Sequence, residues 1–360
     1  MKTDLLHYNL PEELIATRPA EPRDSARLLV VRLRSDAIEH RHVRDLPDLL
    51  RPGDCLIFNN TAVLPARFLA VRADTGAQIE GLFVEIHDDG QWRVMLRSNG
   101  RLRAGLVVTL LDRNEQRSSH RISLIERIES DWIVRVESGL PAEQVLGEIG
   151  LTPLPPYIRR ARHGESVPDD LDRRWYQTIY AEDSARGSIA APTAGLHFTP
   201  ELLHRLVQCG IERLELTLHV GPGTFKPVTA ASLEEHAMHE ERFEVPAHVL
   251  RRVRDLRGRG GRAIAVGTTS ARALESIGAG EVDVPDHDDS IIRGTRLMIF
   301  PPFQFRWING LLTNFHLPRS TLLALVAAMV GMDRLHAIYR EAIERKYRFY
   351  SYGDAMLILP

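Results

Sequence analysis

Cysteine is scarce in this 360-residue chain, with Cys55 and Cys209 the only two. Lying about 150 residues apart, they form neither a metal-ligand spacing nor a disulfide framework. Buried free thiols in a reducing cytoplasm are the expectation. An excess of one charge is also missing. With 46 Lys and Arg against 48 Asp and Glu, no global field draws the chain to nucleic acid or anionic lipid, so any basic contact surface must be local. The longest apolar run, Thr321 to Met332, is too short to span a bilayer and reads as a buried helix. Asp4 and His7 stand where a signal peptide needs an unbroken apolar core, so a cytoplasmic location and no membrane partner are expected. Repeats and low-complexity segments are absent as well. What remains is an ordinary soluble-enzyme composition, long enough for roughly two domains.

The chain changes texture twice. After the turn Arg51-Pro52-Gly53-Asp54 comes the short apolar strand Cys55–Phe58. From about Ala66 to Glu137, the runs Gly81–Ile86, Trp92–Leu96, Leu106–Leu111, Arg121–Ile125 and Trp132–Val136 are separated by turn residues, with no convincing helix between them. That spacing predicts a small β-barrel. Beyond Pro141, strand and helix alternate. Helices are expected near Asp170–Tyr180, Pro200–Cys209, Ala247–Arg257 and Ser270–Ser276, with strands at Ile211–Val220, Arg262–Val266, Arg296–Phe300 and Ala355–Leu359 and two helices before the last strand. The strand before Asn59 resembles this later part. The sequence therefore predicts an α/β protein: a mixed large domain, barrel-like or layered, from residues 1–65 and 141–360, interrupted by an inserted all-β barrel over 66–140.

Several loops have the makings of a site. GSIAAPTAGLHFT (Gly187–Thr199) packs small residues with Thr193 and His197 before a helix, which lets a ligand approach the backbone, although a plain capped loop uses the same residues. HVGPGTFKPV (His219–Val228) follows a strand end, where α/β sheets line their crevices, and carries Phe225 and Lys226. It has neither the Walker A nor the dinucleotide-binding spacing. HAMHEERFEV brings together His236, His239, Glu240 and Glu241, suited to acid–base work or, with a further ligand, to a metal; no such ligand accompanies them and none is expected to be bound. VGTTSARALES places Thr268 and Thr269 at a helix start, as in an anion site or an ordinary cap, and LLTNFHLPRSTLL sets Asn314, His316 and Arg319 before a helix capped by Ser320. Basic residues concentrate at Arg159–Arg162, at Arg251–Arg262 and in ERKYRFYSY, where they interleave with Tyr347 and Phe349. Such mixtures suit phosphate contact and base stacking, and a solvated helix face has the same look.

In this order, LRPGDCLIFNNTAVLPARF, LPPYIRR, RWYQTIYA and the segments above, closing with ERKYRFYSYGDAMLIL, resemble the bacterial S-adenosylmethionine:tRNA ribosyltransferase-isomerases of queuosine biosynthesis over nearly the whole chain. Ser188 and Ile189 stand where that family pattern leads one to expect Ala and Val, and Asp283–Asp289 looks like a local acidic insertion. The resemblance implies that the ribosyl part of S-adenosylmethionine is moved onto 7-aminomethyl-7-deazaguanine at the wobble position of a tRNA with a GUN-type anticodon. Rearrangement gives epoxyqueuosine, with adenine and methionine released. S-adenosylmethionine is then a co-substrate and no bound cofactor is implied.

That reaction needs a base for a 5′ hydrogen beside the sulfonium, an acid for departing adenine, and a polar cradle for ribose. His219 or Glu240 is the expected base and His197 or His316 the expected acid, while Thr193, Lys226, Thr268, Thr269 and Arg319 are expected to hold substrate oxygens. Tyr157, Phe225, Tyr347 and Phe349 are candidates for stacking a splayed base, and Arg159 and Arg160 for phosphate contact. A monomer is expected. Three rival readings are a non-catalytic RNA-binding module, a metal-dependent hydrolase built on the His236–Glu241 cluster, and a methyltransferase, which would release adenosylhomocysteine rather than adenine.

Overall fold

The computed structural model describes residues 1–35, 37–225, 228–278 and 289–360, without the side chains of 88, 224 and 225. Its centre is a nine-stranded mixed sheet. In spatial order the strands are Ser290–Thr295, Glu241–Pro246, Glu212–Leu218, Cys55–Asn59, Ala263–Val266, Gly310–Asn314, Ala355–Leu359, Arg27–Arg32 and Ile38–His42. Cys55–Asn59 lies between two parallel neighbours, with Cys55 opposite both Glu212 and Ala263. The large part is thus layered, which settles the choice between a barrel-like and a layered arrangement.

Alternation along the strands divides two cores. Cys55 and Ile57 enter one apolar cluster while Leu56 and Phe58 enter the other, and Leu29 and Val31 are separated in the same way from Leu28 and Val30. Strands buried on both faces read as unbroken apolar runs, which is why CLIF and RLLVVR carry no polar alternation. The same division ends the helix expected over Asp170–Tyr180. It stops at Trp175, because Tyr176 packs into the first core and Tyr180 into the second, and residues four apart on one helix would face the same way.

Six antiparallel strands, from Arg67–Arg72 to Asp131–Val136, close a barrel with its own core. Helix Ala142–Ile149 packs its Val145 and Leu146 into that core. Glu80 of the barrel accepts hydrogen bonds from Arg67 and from Arg159 of the helix Pro156–Ala161, tying the barrel to the chain that returns to the sheet. Burial opposes ionisation of Glu80, but the two guanidinium groups outweigh it and hold the carboxyl down to about 2.

Two further expectations are corrected. The strand lies at Ser290–Thr295, paired with Glu241–Pro246, and not at Arg296–Phe300, whose residues leave the ladder to face a cleft. Cys55 is buried but Cys209 is exposed, just past the amphipathic helix Pro200–Gln208. The acidic stretch Asp283–Asp289 lies, but for its last residue, outside the described residues. Among the described residues no single helix is long and apolar enough to cross a membrane.

Candidate active site

The site begins at the carboxyl ends of the parallel strands, where open α/β sheets form their ligand crevices. Asn59 ends the central strand fully buried. Its Oδ1 accepts from the N–H groups of Leu218 at 3.0 Å and Thr61 at 3.2 Å. Its Nδ2 donates to the Leu218 carbonyl at 3.0 Å and to Thr269 Oγ1 at 3.3 Å. One amide thereby fixes two strand ends and the start of the helix Thr268–Glu275. Strand Glu212–Leu218 then delivers His219, whose N–H donates to the Arg242 carbonyl at 2.9 Å.

Between this edge and the barrel lies a cleft of about 1170 Å³. Phe83, Glu85 and Arg93 line its barrel side; His219 to Pro222, the segment 236–242, Arg296, Met298 and Phe300 line the other. His219 is half-buried. Burial first, and the Arg242 guanidinium second, hold its pKa below the ordinary histidine value against the opposing effect of Glu244. The imidazole is therefore neutral at pH 7 and able to take a proton. Glu240 reaches the same cleft but is exposed and pairs with Arg296 at 3.3 Å.

The adjoining loop is held by a buried ion pair. Glu241 Oε1 accepts the Gly221 N–H at 3.0 Å, and Oε2 accepts from Arg272 of the helix Thr268–Glu275. Arg272 also donates from Nε to the Leu297 carbonyl at 3.1 Å. Where Gly223 stands, a Cβ would come within 2.4 Å of His239 Cδ2, so the loop passes too close to that ring for a side chain. Among the described residues no group of three or more His, Cys, Asp and Glu side chains could hold a metal ion.

His197 and His316 belong to a different place. Both are buried beside Asn314, whose Nδ2 donates to His197 Nε2 at 3.3 Å, and His316 Nε2 lies 2.8 Å from Thr313 Oγ1. Thr193, Tyr157, Asn314 and His316 line a cavity of about 20 Å³, enough for one water. Burial, with Arg348 and Arg23 adding to it, pushes His197 down to about 3; burial alone does the same to His316. At neutral pH both rings are therefore uncharged, and neither His197 nor His316, the expected acids for adenine, lines the cleft that holds His219.

These two rings also make stability pH-dependent. Their folded-state values lie below the roughly 6.5 of an unfolded histidine, so the unfolded chain takes up protons first as pH falls. Stability present above about pH 6.5 is lost on the way to about pH 3, at up to about 1.4 kcal/mol per pH unit per ring. Urea unfolding at pH 7.5, 6 and 5 is expected to show this decline before most carboxylates titrate. A flat profile across that interval would contradict buried neutral rings.

The remaining expected residues are dispersed. Thr268 and Thr269 are buried, and the Thr269 hydroxyl serves Asn59. Arg319 pairs with Asp4 at 2.9 Å, and its backbone bonds Leu6 and Val228, which places it away from the cleft wall. Tyr347 and Phe349 are fully buried against Phe315, and Tyr157 is buried with its hydroxyl 2.5 Å from Ser351 Oγ. These three rings are core, not stacking surfaces; the basic–aromatic strip sends its aromatics inward and leaves Arg345 and Lys346 exposed. Arg159 is engaged by Glu80, while Arg160 is exposed. Lys226 and the Phe225 side chain lie outside the described residues. Sequence reading missed Asn59, Thr61, Arg272, Met298 and Phe300. The polar Asn59-Asn60-Thr61 directly after a buried strand was the available signal for the first two.

A mixed sheet whose carboxyl-end loops face a closed β-barrel across a cleft defines the class, an α/β protein with an all-β barrel. The chain belongs to the family described as queuosine biosynthesis protein, whose model matches residues 3–358. It is 44% identical over 359 residues to the S-adenosylmethionine:tRNA ribosyltransferase-isomerase of Thermotoga maritima, covering 100% of both chains. The enzyme of the same name from an Anaeromyxobacter species is 46% identical over 367 residues, with 99% of each chain covered. A crystal structure of S-adenosylmethionine tRNA ribosyltransferase from Thermotoga maritima matches with a TM-score of 0.55 and 34% identity, over 99% of this chain and 100% of that one.

Proposed function

We propose that this S-adenosylmethionine:tRNA ribosyltransferase-isomerase moves the ribosyl part of S-adenosylmethionine onto 7-aminomethyl-7-deazaguanine at the wobble position of a GUN-anticodon tRNA. The products are epoxyqueuosine in the tRNA, free adenine and free methionine. The observation that carries this reading is the neutral, half-buried His219 in a cleft large enough for a nucleoside and a splayed base together. His219 takes a proton from C5′, acidified by the adjacent sulfonium. Adenine then leaves, protonated by the histidinium formed in the first step; the base's amine attacks the sugar and gives up its proton, and the epoxide closes as methionine departs. Glu240 is the alternative base; its exposure and its pairing with Arg296 favour His219. The protein works in the cytoplasm as a monomer, with S-adenosylmethionine as a co-substrate.

The test is direct. Incubation with S-adenosylmethionine and a tRNA carrying the aminomethyl base should yield adenine, methionine and a heavier wobble nucleoside. Adenosylhomocysteine would mean methyl transfer instead, and tight tRNA binding without any product would favour a binding module. Exposed Arg160, Arg345 and Lys346 are the proposed phosphate contacts, so tRNA affinity should fall as salt rises. A dissociation constant unchanged between 50 and roughly 200 mM salt would refute that contact surface.

A further inference from the structure

The hydroxyl groups behind His219 decide which of its nitrogens carries the proton. His219 Nδ1 lies 3.1 Å from Thr61 Oγ1, which lies 2.8 Å from Ser188 Oγ and 3.1 Å from the Ala185 carbonyl. Ser188 Oγ already accepts the Val220 N–H at 2.8 Å. The ring is seated on Gly187, where a Cβ would come within 2.6 Å of Nδ1, so it sits closer to the backbone there than any side chain allows. Thr61 and Ser188 are fully buried.

The hydrogens can be placed by elimination. Ser188 accepts from Val220, and its own hydrogen goes to Thr61 Oγ1. The Ala185 carbonyl can only accept, so it is satisfied by the Thr61 hydrogen. Thr61 Oγ1 then has one lone pair left, facing Nδ1, and that contact closes only if Nδ1 bears the hydrogen. The opposite arrangement, with Thr61 donating to Nδ1, leaves the Ala185 carbonyl without this donor. Ala185 is only half-buried, so the preference comes from the hydroxyls: the first arrangement makes one more protein hydrogen bond and uses both acceptor positions of the fully buried Thr61 oxygen, and it prevails.

We propose that Thr61, with Ser188 behind it, is a positioning residue that locks His219 in the Nδ1–H tautomer and leaves the Nε2 lone pair for substrate. The inference rests on the reading of His219 as the base and adds what fixes its orientation and protonation. Neither Thr61 nor Ser188 touches substrate in this scheme. Their effect is exerted through the ring, as the partner of one imidazole nitrogen sets the state of the other.

The test combines nitrogen NMR with kinetics. In 15N-histidine-labelled protein, with the His219 signals identified by their loss in His219→Gln, Nδ1 is expected in the protonated range and Nε2 in the unprotonated range. Thr61→Val should mix or reverse the two and lower kcat about 10-fold or more, a share of the roughly 10²–10⁴-fold that a positioned base contributes, with KM within about threefold. Thr61→Ser should restore both spectrum and rate. Ser188→Ala, which adds no volume, should raise the Nε2–H population and keeps the idea testable if Thr61→Val folds poorly. Nε2–H dominance in the wild type, or a Thr61→Val protein with wild-type spectrum and kcat, overturns the proposal. Normal turnover by His219→Gln would remove the base assignment alone, because the wild-type spectrum still reads the tautomer.

Discussion

His219→Gln is expected to lower kcat by about 10²–10⁴-fold, the contribution of a positioned general base, while tRNA affinity stays within a few-fold. Glutamine keeps an amide near the Thr61 contact but has no nitrogen basic enough to take a carbon-bound proton. The wild-type ring is suited to that task because burial and Arg242 keep it neutral and Nδ1 is engaged from behind. Glu240→Gln is the necessary comparison. Its carboxylate faces solvent and pairs with Arg296, so its loss should change kcat less than about threefold, in line with the small energetic weight of exposed ion pairs. The measurement is adenine release under single-turnover conditions with saturating tRNA. A severe loss in Glu240→Gln with a mild one in His219→Gln would exchange the two roles.

Arg272→Met is expected to destabilise the fold by about 3–5 kcal/mol, among the largest effects of any single change here. Both partners of the Arg272–Glu241 pair are almost wholly buried, so removing the guanidinium takes a close opposite charge away from a buried carboxylate. That carboxylate also holds Gly221, and the loop from His219 onward should lose its anchor to the helix Thr268–Glu275. The double variant Arg272→Met, Glu241→Gln should recover much of the stability, because an uncharged amide tolerates burial better than a carboxylate that has lost its guanidinium. Equilibrium unfolding in urea reads both. A double variant no more stable than Arg272→Met would mean that the cost comes from lost packing or from the Leu297 contact rather than from the lost charge pairing.

Reading the two halves of the chain from sequence succeeded where local pattern and tertiary role agree. Cys55–Asn59 follows a Pro-Gly turn and has no polar alternation, so its place in a doubly covered sheet was legible before its neighbours were known. The barrel strands announced themselves through turn residues at short intervals. The strand Ser290–Thr295 was not legible: SIIRGT is short and half polar, while RLMIF beside it looks more strand-like but provides the apolar wall of a cleft. Tyr347 and Phe349 misled for the opposite reason. Basic and aromatic residues alternate there as in an RNA-binding surface, and only packing against Phe315 reveals that one set points inward. His219, the proposed base, is one of four residues the sequence offers as catalytic, whereas Thr61 and Arg272, whose importance lies in what they touch, carried no signal of their own.

The sheet's strand order has a consequence for biosynthesis. Arg27–Arg32 pairs with Ala355–Leu359, and Cys55–Asn59 with strands beginning at Glu212 and Ala263, so the earliest strands to leave the ribosome wait for the last. The barrel, complete by Val136 and built from near neighbours, has no such delay. A nascent chain halted after Ile149 should therefore carry a protease-resistant barrel on an otherwise unfolded polypeptide. During the remaining synthesis RLLVVR has only its hairpin neighbour Ile38–His42 and CLIFN has neither of its sheet partners, and a chaperone that shields extended apolar segments has its longest opportunity there.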